Sequence, residues 1–311
     1  MYSLFLIPSR VFACSAYTCE IMHKLNTNKG IHRQGMIEED TPITTAAEKK
    51  QVEERVAVGV NVVYEAIRLE GEVELTRPAA ALAWSALAAG LSMGFSFVAE
   101  ALLTAHLPNA PWTSLITKLG YSIGFLIVVL GRQQLFTENT LTVVLPVLLH
   151  KNWSVVLKVA RLWSVVLTTN LIGTFLFAYT IGHTRIFDEH VKAALAAVGG
   201  AHVEANFAAV FLRAVFAGWL IALMVWLLPG AESARVGIII ILTYLVGLGG
   251  FNHIVAGSTK MFYLIVTNSL SWGEYARDFF LPTLLGNIAG GVSLVAALGH
   301  AQVVGGKATH H

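Results

Sequence analysis

Apolar segments of helical length lie at 79–104, 115–149, 158–182, 207–229, 236–268 and 280–304. Crossing a bilayer takes roughly 20 apolar residues. The first, third, fourth and sixth segments have about that length. The second and fifth are too long for one straight span, and each carries a polar interruption: GRQQLFTENT at 131–140 and GLGGFNHIVAGST at 247–259. That is the pattern of a broken helix, with breaks expected at Gln134–Thr140 and Gly249–Gly257. The fold class expected is an all-α membrane protein with six transmembrane helices, the second and fifth broken.

Around this 79–304 six-span transmembrane domain the pattern changes. Residues 23–58 are polar and mixed in charge, so 1–58 reads as a disordered cytosolic arm. Its first twenty residues are mildly apolar, but Pro8 and Arg10 interrupt them and no basic n-region leads them. A cleaved signal peptide is therefore not expected. At 59–78, Val60, Val63, Ile67 and Leu69 have helical spacing and suggest an amphipathic helix along the membrane surface. Residues 305–311 are a short tail.

The two halves echo each other. Asn170-Leu171-Ile172-Gly173 in the third segment matches Asn287-Ile288-Ala289-Gly290 in the sixth, 117 residues on. Thr137 and His253 in the two interruptions are 116 apart, and the first and fourth segments share Ala89-Gly90 and Ala217-Gly218. A three-span half repeats in the opposite orientation, which makes this an inverted 3+3 repeat. Broken helices in such folds flank the solute path near the midplane.

Composition agrees with a membrane protein: 55% of residues are hydrophobic and 13% charged, where a soluble domain carries roughly a quarter. Twenty-one basic residues nearly cancel 19 acidic ones, so no nucleic-acid partner is indicated. Basic residues near the spans favour both termini in the cytoplasm. Arg68, Arg77, Lys151, Lys158, Arg161, Arg235 and Lys307 fall on the N-terminal side, against Lys118, Arg185, Lys192 and Arg277. Cys14 and Cys19 form a lone C-x4-C pair, weak evidence for a metal site or a disulfide, and read as incidental. No cofactor and no metal are expected.

LFTENT at 135–140, GFNHIVAGS at 250–258 and GNIAGG at 286–291, in that order on six spans, resemble the formate/nitrite transporter family. The form GRQQLFTENT is similar to its YfdC-like branch. The resemblance implies an aquaporin-like bundle, one pore per protomer, a homopentamer and a place in a bacterial inner (plasma) membrane. It implies that His253 is the central pore histidine, Thr137 the threonine opposite, and Leu135 and Phe125 an apolar constriction. Tyr121 and Val246 fall where pore-narrowing aromatic residues are usual. An acidic residue before the histidine and an asparagine four after it are usual too; here stand Asn252 and Gly257, and Arg132-Gln133-Gln134 replaces a less polar stretch. These departures leave the solute open.

A bare anion in an apolar neck loses its hydration at a cost of many kcal/mol, which a neutral weak acid largely avoids. A histidine there can donate a hydrogen bond or a proton at the midpoint. The alternative role for His253 is a plug satisfied by backbone carbonyls at the helix break, though ionisable residues within a bilayer usually serve function. Arg132 and Glu138, six apart, read as an ion pair bracing the first break; otherwise Arg132 lines the pore and attracts anions. Glu100, Arg213 and Lys260 are expected at span ends with their charges snorkelling to water. Asn170 and Asn287 are expected to satisfy backbone groups freed at the breaks, or to touch the solute. Gly90, Gly218, Gly290 and Gly291 suit close helix packing.

The function expected is a channel or transporter for a small monovalent anion or its protonated acid. A neutral-solute or water channel is one rival, although paired Asn-Pro-Ala motifs are absent. A non-conducting structural or regulatory homologue is another. A membrane enzyme lacks support: there is no H-E-x-x-H, nucleophile elbow or paired catalytic carboxylates, and His300, His310 and His311 are tail residues.

Overall fold

Helix follows helix along the chain, with no strand among the described residues of this computed structural model, which are 45–46, 58–201 and 206–294. The proposed N-terminal arm, apart from Thr45, Ala46 and Val58, lies outside them, as do Cys14, Cys19, the end of the sixth apolar segment and the tail. Residues from Val58 onward form one compact unit, described below.

Helix α1 (Val60–Thr76) buries Val63, Ile67, Gly71 and Leu75, a stripe at helical spacing. Val60 is exposed and Leu69 only partly covered, so the buried stripe is rotated from the expected one. Val63 and Ile67 pack with Leu141, Leu145, Ala222 and Val225. This apolar face therefore lies on the protein itself rather than on lipid.

The next helix, α2 (Ala79–His106), starts after Pro78 and runs unbroken for 28 residues. Helix α3 (Thr113–Leu130) contains one tight 3₁₀ turn at Lys118–Tyr121. It stops at Gly131, and α4 (Asn139–His150) resumes after eight non-helical residues. Helix α5 (Trp153–His183) begins at Asn152, whose side chain accepts the Ser154 N–H at 2.9 Å. An unexpected helix, α6 (Glu189–Gly200), is capped by Asp188. Helix α7 (Phe207–Leu227) is capped by Asn206. Helix α8 (Arg235–Leu248) breaks at Gly249, and α9 (Ile254–Val266) restarts directly after His253. The second break is thus shorter than expected, because His253 itself caps the new helix and Gly257 is already inside it. A π-helical turn, Tyr275–Phe280, leads into α10 (Leu281–Leu294).

By length and apolarity, α2, α3, α5 and α7 can each cross a membrane, and α4, α8 and α9 are shorter apolar helices. The most extensive helix pairs are α2 with α5 and α7 with α10. Glycine permits both. A Cβ on Gly90 would strike the Asn170 carbonyl oxygen, and one on Gly218 would strike that of Asn287. Outward, Ile241, Leu212, Phe216 and Trp84 remain exposed, as lipid or a neighbouring protomer would allow.

Candidate solute path at the paired helix breaks

Each break frees backbone groups that have no helical partner, and in an apolar bundle each such group costs several kcal/mol if left unpaired. One asparagine resolves the problem at each break. Asn170 Oδ1 accepts the Phe136 N–H at 3.0 Å, while its Nδ2 donates to the carbonyls of Ala86 (2.7 Å) and Gln134 (2.9 Å). Asn287 repeats the arrangement: Oδ1 accepts the Ile254 N–H at 2.8 Å, and Nδ2 donates to Ala214 and Asn252, both at 2.8 Å. Both asparagines are fully buried. Each ties a break to two unbroken helices at once.

The first break is held further by Ser85 Oγ, which accepts the Gln134 N–H at 3.1 Å, and by Asn139 Nδ2 donating to Gln134 Oε1 at 2.9 Å. The expected Arg132–Glu138 brace does not form. Arg132 takes a left-handed backbone (φ 48°) and is exposed, while Glu138 Oε1 is buried with no hydrogen-bond partner. The reversal of the chain at Arg132 explains why six residues of separation do not bring the two charges together. In the second break the left-handed position falls on Gly250 (φ 61°), where it carries no Cβ penalty.

The two breaks meet at one point. Thr137 Oγ1 lies 2.7 Å from His253 Nε2, and both side chains are buried. His253 Nδ1 accepts the Ala256 N–H at 3.2 Å and so caps α9. An Nδ1 that accepts a hydrogen bond carries no proton, which puts the imidazole N–H on Nε2, donating to Thr137. The Thr137 hydroxyl hydrogen is then available to another acceptor. These partners are an amide and a hydroxyl rather than backbone carbonyls.

Apolar residues surround the pair. The Phe125 ring stands edge-on to His253 with centroids 5.0 Å apart, and Tyr121 lies 5.4 Å beyond Phe125. Leu135 and Val246 are fully buried, and Gly247, next to Val246, lets the Tyr121 ring approach α8. Asn252 is buried, and its carbonyl is the one that Asn287 holds. Seven sequence-derived path residues thus converge on the two breaks and the helices leading to them.

Two charged residues were misplaced by sequence reasoning. Glu100 and Lys260, expected to snorkel, are 1% exposed and joined at 2.7 Å; Lys118 pairs with the other oxygen of Glu100. Arg213 is exposed near the start of α7, as expected for a span end. The signal available was the presence of opposite charges in otherwise apolar segments, which invites pairing across helices.

Residues 61–301 match the family model for formate/nitrite transporters. The chain belongs to the formate/nitrite transporter family. It is therefore a membrane protein of a transporter family rather than of an enzyme family. Among its relatives, it is 43% identical over 251 residues to "Inner membrane protein YfdC" of Escherichia coli K12, covering 81% of each chain. A "Probable formate transporter" of Methanothermobacter thermautotrophicus is 28% identical over 236 residues, covering 68% of this chain and 84% of that one. Two solved structures share the fold. A pentameric formate channel with formate bound aligns with TM-score 0.61 and 22% identity over 73% of this chain and 98% of that one. An FNT family ion channel aligns at 0.63 and 19%, over 78% and 98%.

Proposed function

We propose that the protein is a channel for a small monovalent anion or its protonated weak acid, with the Thr137–His253 pair at the narrowest point of its path. The observation that carries this is the 2.7 Å contact between two buried polar side chains from two different breaks, with the Phe125 ring edge-on to the histidine. The imidazole N–H is held by Thr137, whose free hydroxyl hydrogen can meet a solute oxygen. The apolar walls favour a species that arrives neutral or is neutralised there, since a desolvated charge is costly.

Six crossing segments arranged as an inverted 3+3 repeat supply the frame. The duplicated asparagine network and the glycine contacts at Gly90 and Gly218 support that arrangement. The name of the structural neighbour, a pentameric channel, supports a homopentamer with one path per protomer. The relative named an inner membrane protein supports a bacterial inner membrane, and the basic residues near the spans support both termini in the cytoplasm.

Uptake into sealed liposomes containing the purified protein tests the reading with formate, nitrite, acetate, hydrosulfide and a neutral solute of similar size. Anion or weak-acid uptake above that of protein-free vesicles is expected. Passage of the neutral solute or water alone would assign a neutral channel, and no passage at all would assign a non-conducting homologue.

A further inference from the structure

Glu100, Lys118 and Lys260 come from α2, α3 and α9, three elements that meet beside the path. Each oxygen of the Glu100 carboxylate faces its own ammonium: Oε2 receives Lys260 Nζ at 2.7 Å and Oε1 receives Lys118 Nζ. Lys260 Nζ also lies 5.4 Å from the centroid of the Tyr121 ring, which leads through Phe125 to His253. Burial is graded. Lys260 and Glu100 are sealed in, whereas about a fifth of the Lys118 side chain (21%) remains open. A row of groups therefore runs from Lys118 at the accessible end to His253 at the centre.

We infer that Lys118 and Lys260 form a clamp for a planar two-oxygen anion, which Glu100 occupies at rest and which a passing carboxylate or nitrite takes over or shares. Glu100 is in chemical terms a tethered copy of the solute. Exchanging one carboxylate for another keeps the same charge-assisted bonds, so neither lysine is left without an acceptor during the exchange. Stripping a buried charge of its partner outright is what such a cluster cannot tolerate. A spherical or one-atom anion such as chloride or hydrosulfide offers no pair of oxygens to two ammoniums and substitutes less well. This inference deepens the proposed transport function by naming the solute shape that the path selects.

Chemical rescue tests the clamp without relying on transport. Glu100→Ala removes the resident carboxylate, and its Tm in detergent is expected to fall. Formate or acetate is expected to raise the Tm of the variant by roughly 2–4 °C, whereas chloride at equal ionic strength leaves it unchanged. Adding Lys260→Met to the variant is expected to abolish the rescue. Equal effects of formate and chloride, or no effect of either, would overturn the clamp. Should Glu100→Ala fail to fold, Glu100→Gln in liposomes gives the second reading: its half-saturating concentration for formate should change several-fold while that for hydrosulfide does not, and parallel changes would refute the idea. A parent protein that carries no anion, with rescue of Glu100→Ala intact, would remove the transport reading and keep the clamp.

Discussion

Thr137 and His253, 116 residues apart in sequence, come from two separate helix breaks and meet at 2.7 Å. Because Ala256 N–H holds Nδ1, the histidine both closes a helix and turns its Nε2–H to Thr137. The two duties can be separated. His253→Ala is expected to lose most weak-acid uptake and, through the lost cap, about 0.5–2 kcal/mol of stability. His253→Asn keeps a capping side chain and should hold stability near the parent while uptake still falls strongly. Thermal unfolding alongside liposome flux checks this, and parental flux in both variants would reduce His253 to a structural cap.

The second prediction concerns pH. A path that favours a neutral species should pass more solute as the outside is acidified, because the neutral fraction of a carboxylic acid grows steadily as pH falls toward its pKa of about 4. Uptake rates for formate in parent and His253→Ala, compared at several pH values with matched incorporation, check the slope. A steep rise in the parent and a flatter one in the variant are expected. Superimposable profiles would withdraw the histidine from the mechanism.

Asn170 and Asn287 each satisfy three backbone groups. Replacing either by Ala strands those groups in an apolar interior, at about 1–3 kcal/mol for each group left unpaired. Both variants should show a markedly lower Tm and a poorer yield of assembled protein. Loss of flux with a parental Tm would instead mean that the asparagines act on the solute.

Glycine contacts give a fourth prediction. Gly218→Leu forces α7 away from the Asn287 backbone, and overpacking of this kind costs about 1–3 kcal/mol or more. Gly237, whose Cβ position is open, provides the control: Gly237→Ala should be tolerated. Size-exclusion profiles of the two variants in detergent distinguish them.

The fifth prediction is assembly. Trp84 is 73% exposed on α2 and suits a contact between protomers. Native mass spectrometry should return five copies, and Trp84→Asp should shift the distribution toward smaller species. A stable monomer or trimer of the parent in gentle detergent contradicts the pentamer.

The interruptions themselves were legible in the sequence, because Gln134, Asn139, Asn252 and His253 stand out against apolar surroundings. So was the contact of Asn170 and Asn287 with freed backbone groups, since a buried amide needs partners of that kind. The path of the chain through each break was not legible. The left-handed turn at Arg132 sends its guanidinium outward and leaves Glu138 without it, and no spacing rule encodes that turn. Glu100 and Lys260 were misread because hydropathy along one segment cannot distinguish a charge at a span end from one paired across helices. The π-helical turn was equally hidden. It brings Tyr275 within 3.0 Å of Ser258 and sets the Phe279 ring against Gly257, a tertiary fit rather than a local preference.

The cap that His253 places on α9 also restricts how this lineage can drift. Most replacements at that position would remove the N–H that meets Thr137 and weaken the start of a helix together, so they cost site chemistry and stability in one step. Asn, Ser, Thr and Asp are exceptions, because each can hold the helix start with a side-chain oxygen. A descendant that lost the imidazole and kept its architecture would be expected to pass through one of those four, and Asn, Ser or Thr would leave a well-folded break with no titrating group at its centre.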